Sequence, residues 1–389
     1  MLAVMQKYLV PENDRFDGAM PYQTAMYSNS GQLVDWMHGI GVGFYSLGVN
    51  KAYGVTPYLA PGCYMGGCGY AKDYLVDRIG ALGGQIVYAT KVTELVQDAD
   101  GRVTGLKAEG RDGSTWTVTA KAVCLTSGGF AANPDMIKEH YPQYADFKFN
   151  CAPGSTGDGI TMATKVGANL VGMEYIQTYP ICDPTTGALL YYDDARLYGY
   201  TVIVNKEGKR FVEELGRRDV MSMAIKDQTG HVCYELVDQN GFDLSKLQEN
   251  HAAELDYLTQ AGLMVKADTL EEAANFFGID AEELKKTVEN YNSYVEAGVD
   301  PEFNKRSMPA KIETGPYYIV KAAPAVHHTM GGVQINANAQ VINQDGNVIE
   351  GLYAAGEVTG GIHGTNRLGS DALADITVFG RIAGENASK

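Results

Sequence analysis

The stretch GLYAAGEVTGGIHGTNRLGSDAL, residues 351–373, is the most informative part of the sequence. Glycines at this density let a backbone approach a flat ligand closely and present N–H groups to it. Glu357 follows an apolar strand pattern, where a carboxylate can accept hydrogen bonds from ligand hydroxyls. A helix that begins near Ser370 and Asp371 would direct its positive end at the glycine turn, which suits an anion or an electron-rich ring. A single turn of this kind usually just connects strands, but the cluster, with glycines at 351, 356, 360, 361, 364 and 369, indicates a cofactor-type ligand.

A second glycine-flanked segment, AVHHTMGGV at 325–333, places two histidines side by side. The chain has seven histidines, so His327 and His328 next to a glycine pair are candidates for a site. The alternatives are ligands, catalysts, or satisfied core histidines at the end of a strand. A carboxylate is well held by an arginine fork with one more donor from an imidazole, and Arg367 lies on the other glycine-rich segment.

Composition excludes several classes of protein. The chain has 389 residues, 45% of them hydrophobic, which is enough for one large core or two ordinary domains. A net charge of −16 makes it a poor partner for nucleic acid. We expect no membrane span, because no apolar run approaches roughly 18 residues. We also expect no metal site, because none of the six cysteines forms a CxxC or CxxCH motif.

The order of patterns along the chain predicts an α/β fold. A helix pattern at 71–82 is followed by strand patterns at 83–96, a hairpin turn DADG at 98–101, and further strands up to SGGF. Clear helices are predicted at 281–298 and at about 371–385. The texture changes near 174, which predicts a domain at 174–327 inserted between a first domain, 1–173, and its continuation, 328–389.

Several stretches together resemble the flavoprotein subunits of fumarate reductases and succinate dehydrogenases. The resemblance is greatest to soluble bacterial fumarate reductases and to urocanate reductases. It covers essentially the whole chain and rests on TKVTELV, LTSGGF, GSTGDGITMATKVGA, YIQTYP, VNKEGKRFVEELGRRD, YYIVKAAPAVHHTMGGV and GLYAAGEVTGGIHGTNRLGSDALADITVFGRIAG. It implies a Rossmann-like FAD-binding domain with an inserted α+β capping domain, and reduction of the C=C bond of an α,β-unsaturated carboxylate.

One departure from the family pattern concerns the phosphate cradle. These proteins begin the flavin domain with a strand and a GxGxxG turn, whereas HGIGVGF at 38–44 has the wrong spacing. The resemblance therefore implies that the chain starts just after the first βαβ unit. We expect the chain alone to bind FAD weakly or not at all, and a truncated, non-catalytic remnant is one hypothesis for it.

The resemblance also implies roles for individual residues. His327 and Arg367 match the pair that grips the substrate carboxylate, and His328 matches a residue against the flavin. The residues expected to bind FAD are Val92, Asp158, His328, Glu357, Ser370, Ala372 and Leu373.

The proton donor of the family is an arginine after GKRFxxE, which here is Arg218. An arginine, with a pKa above about 12, can donate only if a relay re-protonates it at once. Asp194 takes the position of the relay glutamate, and Arg196 lies near that of the relay arginine. The structural alternative is a surface ion pair of Arg218 with Asp219 or Glu214.

The substrate's second group is read by the part of the site that departs most from fumarate reductases. They carry His in a QxHP context and a later Thr, whereas this chain has Tyr179 and the acids Asp193 and Asp194. An acid repels a second carboxylate but suits an N–H group, and tyrosine can stack on a ring. Urocanate is a propenoate that bears an imidazole, and urocanate reductases resemble this chain in having Tyr and Asp there. We therefore expect a urocanate-like substrate, with fumarate as the alternative. The structural alternative is that Tyr179 only packs in the core and that Asp193 and Asp194 form a solvated turn.

The resemblance implies an external electron donor, a haem or flavin protein or module. It leaves the compartment open between the bacterial cytoplasm and the cell envelope.

Overall fold

The computed structural model describes residues 36–37, 49–50, 58–59, 67–369 and 371–389. The strands are β1 (Val49–Asn50), β2 (Tyr58–Leu59), β3 (Thr90–Gln97), β4 (Val103–Gly110), β5 (Thr115–Thr119), β6 (Val123–Leu125), β7 (Lys148–Phe149), β8 (Leu170–Val171), β9 (Ile176–Cys182), β10 (Val202–Val204), β11 (Cys233–Asp238), β12 (Met264–Ala267), β13 (Tyr317–Thr329), β14 (Gly332–Val333), β15 (Gln340–Ile342) and β16 (Val348–Ala354). The α-helices are α1 (Gly67–Ala81), α2 (Pro134–His140), α3 (Asp158–Lys165), α4 (Asp194–Leu197), α5 (Arg218–Lys226), α6 (Gln239–Leu244), α7 (Leu247–Gln260), α8 (Leu270–Phe277), α9 (Ala281–Ala297) and α10 (Asp371–Ala387).

The predicted hairpin at DADG is confirmed and opens a three-stranded meander. β3 and β4 pair antiparallel, and β4 pairs with β5. The turn forms because the Asp98 carboxylate accepts hydrogen bonds from the backbone N–H groups of Asp100 and Arg102. The predicted helices at 281–298 and 371–385 are confirmed, at Ala281–Ala297 and Asp371–Ala387.

A parallel pair of strands positions the glycine-rich segments. β16 runs parallel to β6, with Ala354 opposite Leu125, so both strands end at the same edge of the sheet. The SGGF turn follows β6 and the segment from Gly356 to Gly361 follows β16. Because ligands of open α/β sheets bind at the carboxyl ends of strands, this edge is the expected ligand edge.

The 13-residue strand β13 contributes side chains to three hydrophobic cores. Its first half pairs with β11 and β12, and its second half pairs with β9 and β7. The register shifts between Val326 and His328, so His327 is the extra residue of a β-bulge. The two adjacent histidines have different neighbours: His327 contacts Arg367 and Asn150, and His328 contacts Glu357.

The apolar side chains of one core come from residues 95–176 and 326–383, and those of the others come from residues 179–325. The cores thus change near residues 177 and 326. The domain limits 1–173, 174–327 and 328–389 stay predictions. Within the described part of the chain, no helix has the length and apolarity that a membrane crossing requires.

Candidate active site

Two residues predicted to hold a carboxylate, His327 and Arg367, are in direct contact. Arg367 Nη2 lies 3.0 Å from His327 Nε2, and His327 Nδ1 lies 2.7 Å from Asn150 Oδ1. Since an arginine can only donate, Nε2 accepts and the ring proton resides on Nδ1, where it is donated to Asn150. Three residues that are distant in sequence, Asn150, His327 and Arg367, are therefore in contact with one another through His327.

The charges around His327 determine its protonation. Burial lowers the pKa of His327 well below its ordinary value, and the positive charges of Arg218 and Arg367 lower it further. The imidazole is therefore neutral at pH 7, and it lies in a region of positive potential. Such a region attracts an anion.

Arg218, the predicted proton donor, lies beside this pair. It is the first residue of α5 and is half-buried. Its Nη1 donates to Gln177 Oε1 at 3.1 Å, and its guanidinium carbon lies 4.7 Å from the centre of the Tyr179 ring. The ion pairs expected from the structural alternative involve other arginines, because Arg217 holds Asp219 and Arg210 holds Glu214.

Tyr179, Asp193 and Arg196 form a buried chain of hydrogen bonds. The Tyr179 hydroxyl donates to Asp193 Oδ2 at 2.5 Å. Arg196 grips the same carboxylate with two nitrogens, Nε on Oδ1 and Nη2 on Oδ2, and both side chains are 1% exposed. Burial raises the pKa of Asp193, and the adjacent Arg196 and Tyr179 oppose this rise. Tyr179 is also 5.5 Å from His327, ring centre to ring centre, so these hydrogen-bonded residues extend to the pair formed by His327 and Arg367.

Asp194, predicted to be the relay acid, lies elsewhere. Its Oδ2 is 2.9 Å from His251 Nε2, and both side chains are partly exposed. Tyr191 stacks on the ring of His251. The reason is helical geometry, because consecutive residues of the turn from 191 into α4 point about 100° apart. The structure therefore places Asp193, not Asp194, next to Arg196. The i,i+3 spacing of Asp193 and Arg196 was the sequence signal for this pair.

His328 and Glu357 form a second group on the other side of the bulge. His328 Nδ1 lies 3.4 Å from Glu357 Oε1, which also accepts from the Thr329 backbone N–H at 2.9 Å. Burial lowers the pKa of His328 well below its ordinary value and raises that of Glu357. His363 contacts the His328 ring edge-on at 5.6 Å and bonds to Asp375.

The other residues expected to bind FAD are spread over three segments. Asp158 begins α3 and forms an ion pair with Lys91 at 3.0 Å, next to the half-buried Val92. Ala372 and Leu373 are half-buried in the first turn of α10. Ser370 lies outside the described residues.

Two observations indicate that the residues present fit FAD. His328 Nε2 is buried and, among the described residues, has no hydrogen-bond partner, as a polar ring atom of a ligand would provide. Gly129 lies so close to Glu357 that an added Cβ would be 2.8 Å from its carboxylate and 2.0 Å from Thr329 Oγ1. Backbone without a side chain is thus required beside the Glu357 carboxylate, which could bind ligand hydroxyls. Glu357, His328 and the start of α10 would hold the cofactor.

Sequence reasoning missed two residues that position the site. Gln177 donates to Asn366 Oδ1 and to the Arg367 carbonyl, and it accepts from Arg218. Asn150 orients His327. Gln177 stands in the QTYP motif, but no local pattern relates Asn150 to residue 327.

Comparison with known proteins places the chain in a family. Residues 4–373 match the family model described as the FAD binding domain. The chain is 50% identical over 301 residues to a urocanate reductase of Eggerthella lenta, covering 77% of this chain and 50% of that protein. It is 44% identical over 321 residues to an NADH:acrylate oxidoreductase of Vibrio harveyi, covering 81% of this chain and 32% of that protein.

Among solved structures, the fold is similar to the open conformation of a flavocytochrome c3 fumarate reductase. The TM-score is 0.80 at 33% identity, covering 99% of this chain and 69% of that one. The chain covers 50% of the length of the urocanate reductase and 32% of the length of the acrylate oxidoreductase. FAD is the cofactor that the family and these similarities indicate, as the sequence predicted.

Proposed function

The chain belongs to the FAD binding domain family, and we propose that this protein reduces the C=C bond of an α,β-unsaturated carboxylate with FAD. We propose further that the preferred substrate is a propenoate with an N–H-bearing ring, as in urocanate. The observation that supports this substrate is that the Tyr179 hydroxyl donates its hydrogen bond to Asp193. FAD, when bound, supplies the hydride from flavin N5 to the β-carbon.

Arg367 and His327 bind the substrate carboxylate in this proposal. The positive potential that keeps His327 neutral attracts the anion, and Arg367 offers the fork. The carboxylate replaces His327 Nε2 as the acceptor for Arg367. Its negative charge then favours a proton on Nε2, so that the imidazole also donates to it.

Arg218 donates the proton to the α-carbon. It lies next to His327 and Tyr179, within the group that would surround the substrate. The developing carbanion is basic enough to accept a proton from a guanidinium. Asp193 and Arg196 are the relay pair in this proposal, because they lie behind Tyr179: Arg218 packs on the face of the Tyr179 ring, and the Tyr179 hydroxyl donates to the carboxylate that Arg196 holds. Asp193 thus takes the relay role that the sequence assigned to Asp194.

Tyr179 reads the ring of the substrate. Its single hydroxyl proton is donated to Asp193, so its oxygen presents lone pairs to any further partner. Lone pairs accept from an imidazole N–H and repel a second carboxylate. Asp193 itself is neutralised by Arg196, so its charge is not what disfavours a dicarboxylate. That neutralisation also keeps fumarate reduction as the second candidate.

A reduced-dye assay on the full-length, FAD-loaded protein tests these proposals. We expect kcat/KM to be highest for urocanate and lower for acrylate and fumarate. A preference for fumarate would refute the ring-binding role and support the second candidate.

Replacing Arg218 with Ala tests the proton donor. We expect turnover to be lost with flavin content unchanged, because Arg218 lies on the substrate side of the site. Replacing the neighbouring Arg217 with Ala is the matched control, since Arg217 is occupied by Asp219. Turnover retained by the Arg218 variant would refute the role.

A further inference from the structure

Asn150 links His327 to a buried thiol that the proposed reaction has not used. Asn150 follows β7 and is half-buried, and the thiol belongs to Cys182, which ends β9 and is 0% exposed. Asn150 Nδ2 donates to Cys182 Sγ at 3.2 Å, and the thiol donates to the Tyr179 carbonyl at 3.5 Å. Burial raises the pKa of the Cys182 thiol to about 12, so the thiol keeps its proton.

The hydrogen bonds from Arg367 to Tyr179 form a chain in which every member donates to the next. Arg367 Nη2 donates to His327 Nε2 at 3.0 Å, and His327 Nδ1 donates to Asn150 Oδ1 at 2.7 Å. Asn150 and Cys182 continue the chain in the same direction. Arg367 sets this direction, because a guanidinium can only donate. As long as Arg367 donates to His327, Nε2 therefore presents a lone pair and not a proton.

A bound carboxylate requires the opposite direction at His327. Carboxylate oxygens only accept, so Nε2 contributes to holding one only when it bears a proton. Protonating both ring nitrogens is unfavourable, because burial lowers the pKa of His327 well below its ordinary value and the charges of Arg218 and Arg367 lower it further. A neutral imidazole can instead have its one proton on Nε2 and not on Nδ1. Nδ1 then accepts and requires a donor.

Asn150 and Cys182 are residue types that can supply this donor. The two ends of a carboxamide have nearly the same shape, so a half-turn of the group brings Nδ2 to His327 Nδ1 and Oδ1 to Cys182. A thiol is both a weak donor and a weak acceptor, so its proton can turn from the Tyr179 carbonyl to Asn150 Oδ1. The bonds from His327 to Asn150 and from Asn150 to Cys182 are both kept, and each is reversed. An aspartate in place of Asn150 would not allow this, because a carboxylate only accepts.

We propose that Asn150 and Cys182 reverse this hydrogen-bond chain when a carboxylate binds, so that His327 changes its tautomer and no proton is taken up, an inference that rests on the proposed function. At His327 the Nδ1–H bond breaks and an Nε2–H bond forms, both by exchange with water, and the ring stays neutral. Arg367 Nη2 then donates to the substrate carboxylate and no longer to His327. Asn150 and Cys182 are positioning residues, because they act on the substrate only through His327.

Counting protons on binding tests the proposal in the wild type. The probe is acrylate, which has one carboxylate and no titrating ring, and it is added to the full-length protein with oxidised FAD so that no turnover occurs. Calorimetry in two buffers of different ionisation enthalpy counts the protons taken up between about pH 7 and 9. We expect none, and a Kd that does not change with pH. Uptake of one proton, with Kd rising about tenfold per pH unit, would show that His327 becomes an imidazolium and would overturn the proposal.

The Asn150→Asp variant fixes the chain in its resting direction. Its carboxylate accepts from Nδ1 at all times, so Nε2 can donate to acrylate only if the ring is an imidazolium. We expect Kd to rise with pH, by up to about tenfold per unit above the pKa of that imidazolium. Cys182→Ser is the matched control, because a hydroxyl also donates and accepts, and we expect it to keep the flat profile of the wild type. If Asn150→Asp weakens binding equally at every pH, Asn150 has only a structural role and the proposal is wrong.

The infrared S–H stretching band reports on the thiol directly, in a region where few other protein groups absorb. Loss of a band in Cys182→Ala assigns it to Cys182, and Cys233→Ala is the control, because Cys233 is also 0% exposed but lies on β11 opposite Ala322. We expect saturating acrylate to shift the Cys182 band, because the acceptor of the thiol proton changes from a backbone carbonyl to an amide side chain, and to leave the Cys233 band in place. A Cys182 band that does not move would refute the reversal.

Failure of this proposal and failure of the proposed function give different results. Reduction of propenoates together with uptake of one proton on binding refutes the reversal alone. Binding of acrylate without proton uptake, but without any reduction by the dye-reduced enzyme, refutes the proposed reaction and supports the reversal. Absence of binding refutes both, because the reversal requires a carboxylate at His327.

Discussion

Replacing Tyr179 with Phe removes the one atom that we propose reads the substrate ring. The variant keeps the aromatic ring against Arg218 and His327 and loses only the hydroxyl that donates to Asp193. With urocanate bound, an imidazole N–H would then lack an acceptor. A buried donor left unsatisfied costs about 1–3 kcal/mol.

That range converts directly into a rate. At about 1.4 kcal/mol per tenfold, kcat/KM for urocanate should fall by roughly 5- to 150-fold. Acrylate has no ring, so it is an internal control for the carboxylate clamp and for proton transfer. Its kcat/KM should fall much less, and the ratio of the two values isolates the contribution of the hydroxyl.

The assay is dye-coupled turnover of full-length wild type and variant with both substrates, with flavin content and thermal unfolding measured alongside. Asp193 retains its two bonds from Arg196, so we expect the variant to fold. An unchanged ratio of urocanate to acrylate would refute the reasoning. If the ratio is unchanged because both values fall by the same factor, the hydroxyl acts in the relay alone.

Three further changes test the structure. Asp193→Asn should lower the free energy of unfolding by about 3–5 kcal/mol, because it leaves the Arg196 charge buried without its partner, whereas Asp194→Asn should change it by less than about 1 kcal/mol; equal effects in urea unfolding would contradict the placement of the two acids. Gly129→Ala should lower FAD content, because the new methyl group would displace Glu357 and Thr329, whereas Gly154→Ala, with open space around it, should not. His328 has a folded pKa below its unfolded value of about 6.5, so the unfolded state binds its proton first and stability is lost as the pH falls below about 6.5, by up to about 1.4 kcal/mol per pH unit; His328→Asn should flatten this loss between pH 7 and 5, and an unchanged slope would show that other groups cause it.

Local patterns were sufficient to predict the elements that frame the site. The DADG turn and the helices at 281–297 and 371–387 depend on residues close in sequence, such as Asp98 with its own turn and Asp280 at its helix start. The meeting of His327 with Arg367 followed from a resemblance and not from spacing, since 40 residues separate them. The role of each residue stays a prediction until the variants are measured.

The details that the sequence could not supply depend on the direction in which a side chain points from a helical turn and on contacts between distant parts of the chain. Asp193 and Asp194 are neighbours, and only the helical turn decides which one faces Arg196. Glu235 was visible as an acid in an apolar strand, CYELVD, but its burial depends on β10 and β13 lying on both sides of β11. A strand pattern alone does not show whether such a residue faces water.

In the proposed mechanism, the carboxylate of Asp193 affects both the choice of substrate and the supply of protons. Asp193 accepts from Tyr179 and from Arg196 with three bonds, so the orientation of the Tyr179 hydroxyl is imposed by a buried ion pair. Making Asp193 neutral would free the hydroxyl to donate to a second carboxylate, but it would also leave the buried charge of Arg196 unbalanced. A change of preference toward a dicarboxylate is therefore better made at Tyr179 itself. A histidine there could donate to the second carboxylate while the Asp193–Arg196 pair stays intact.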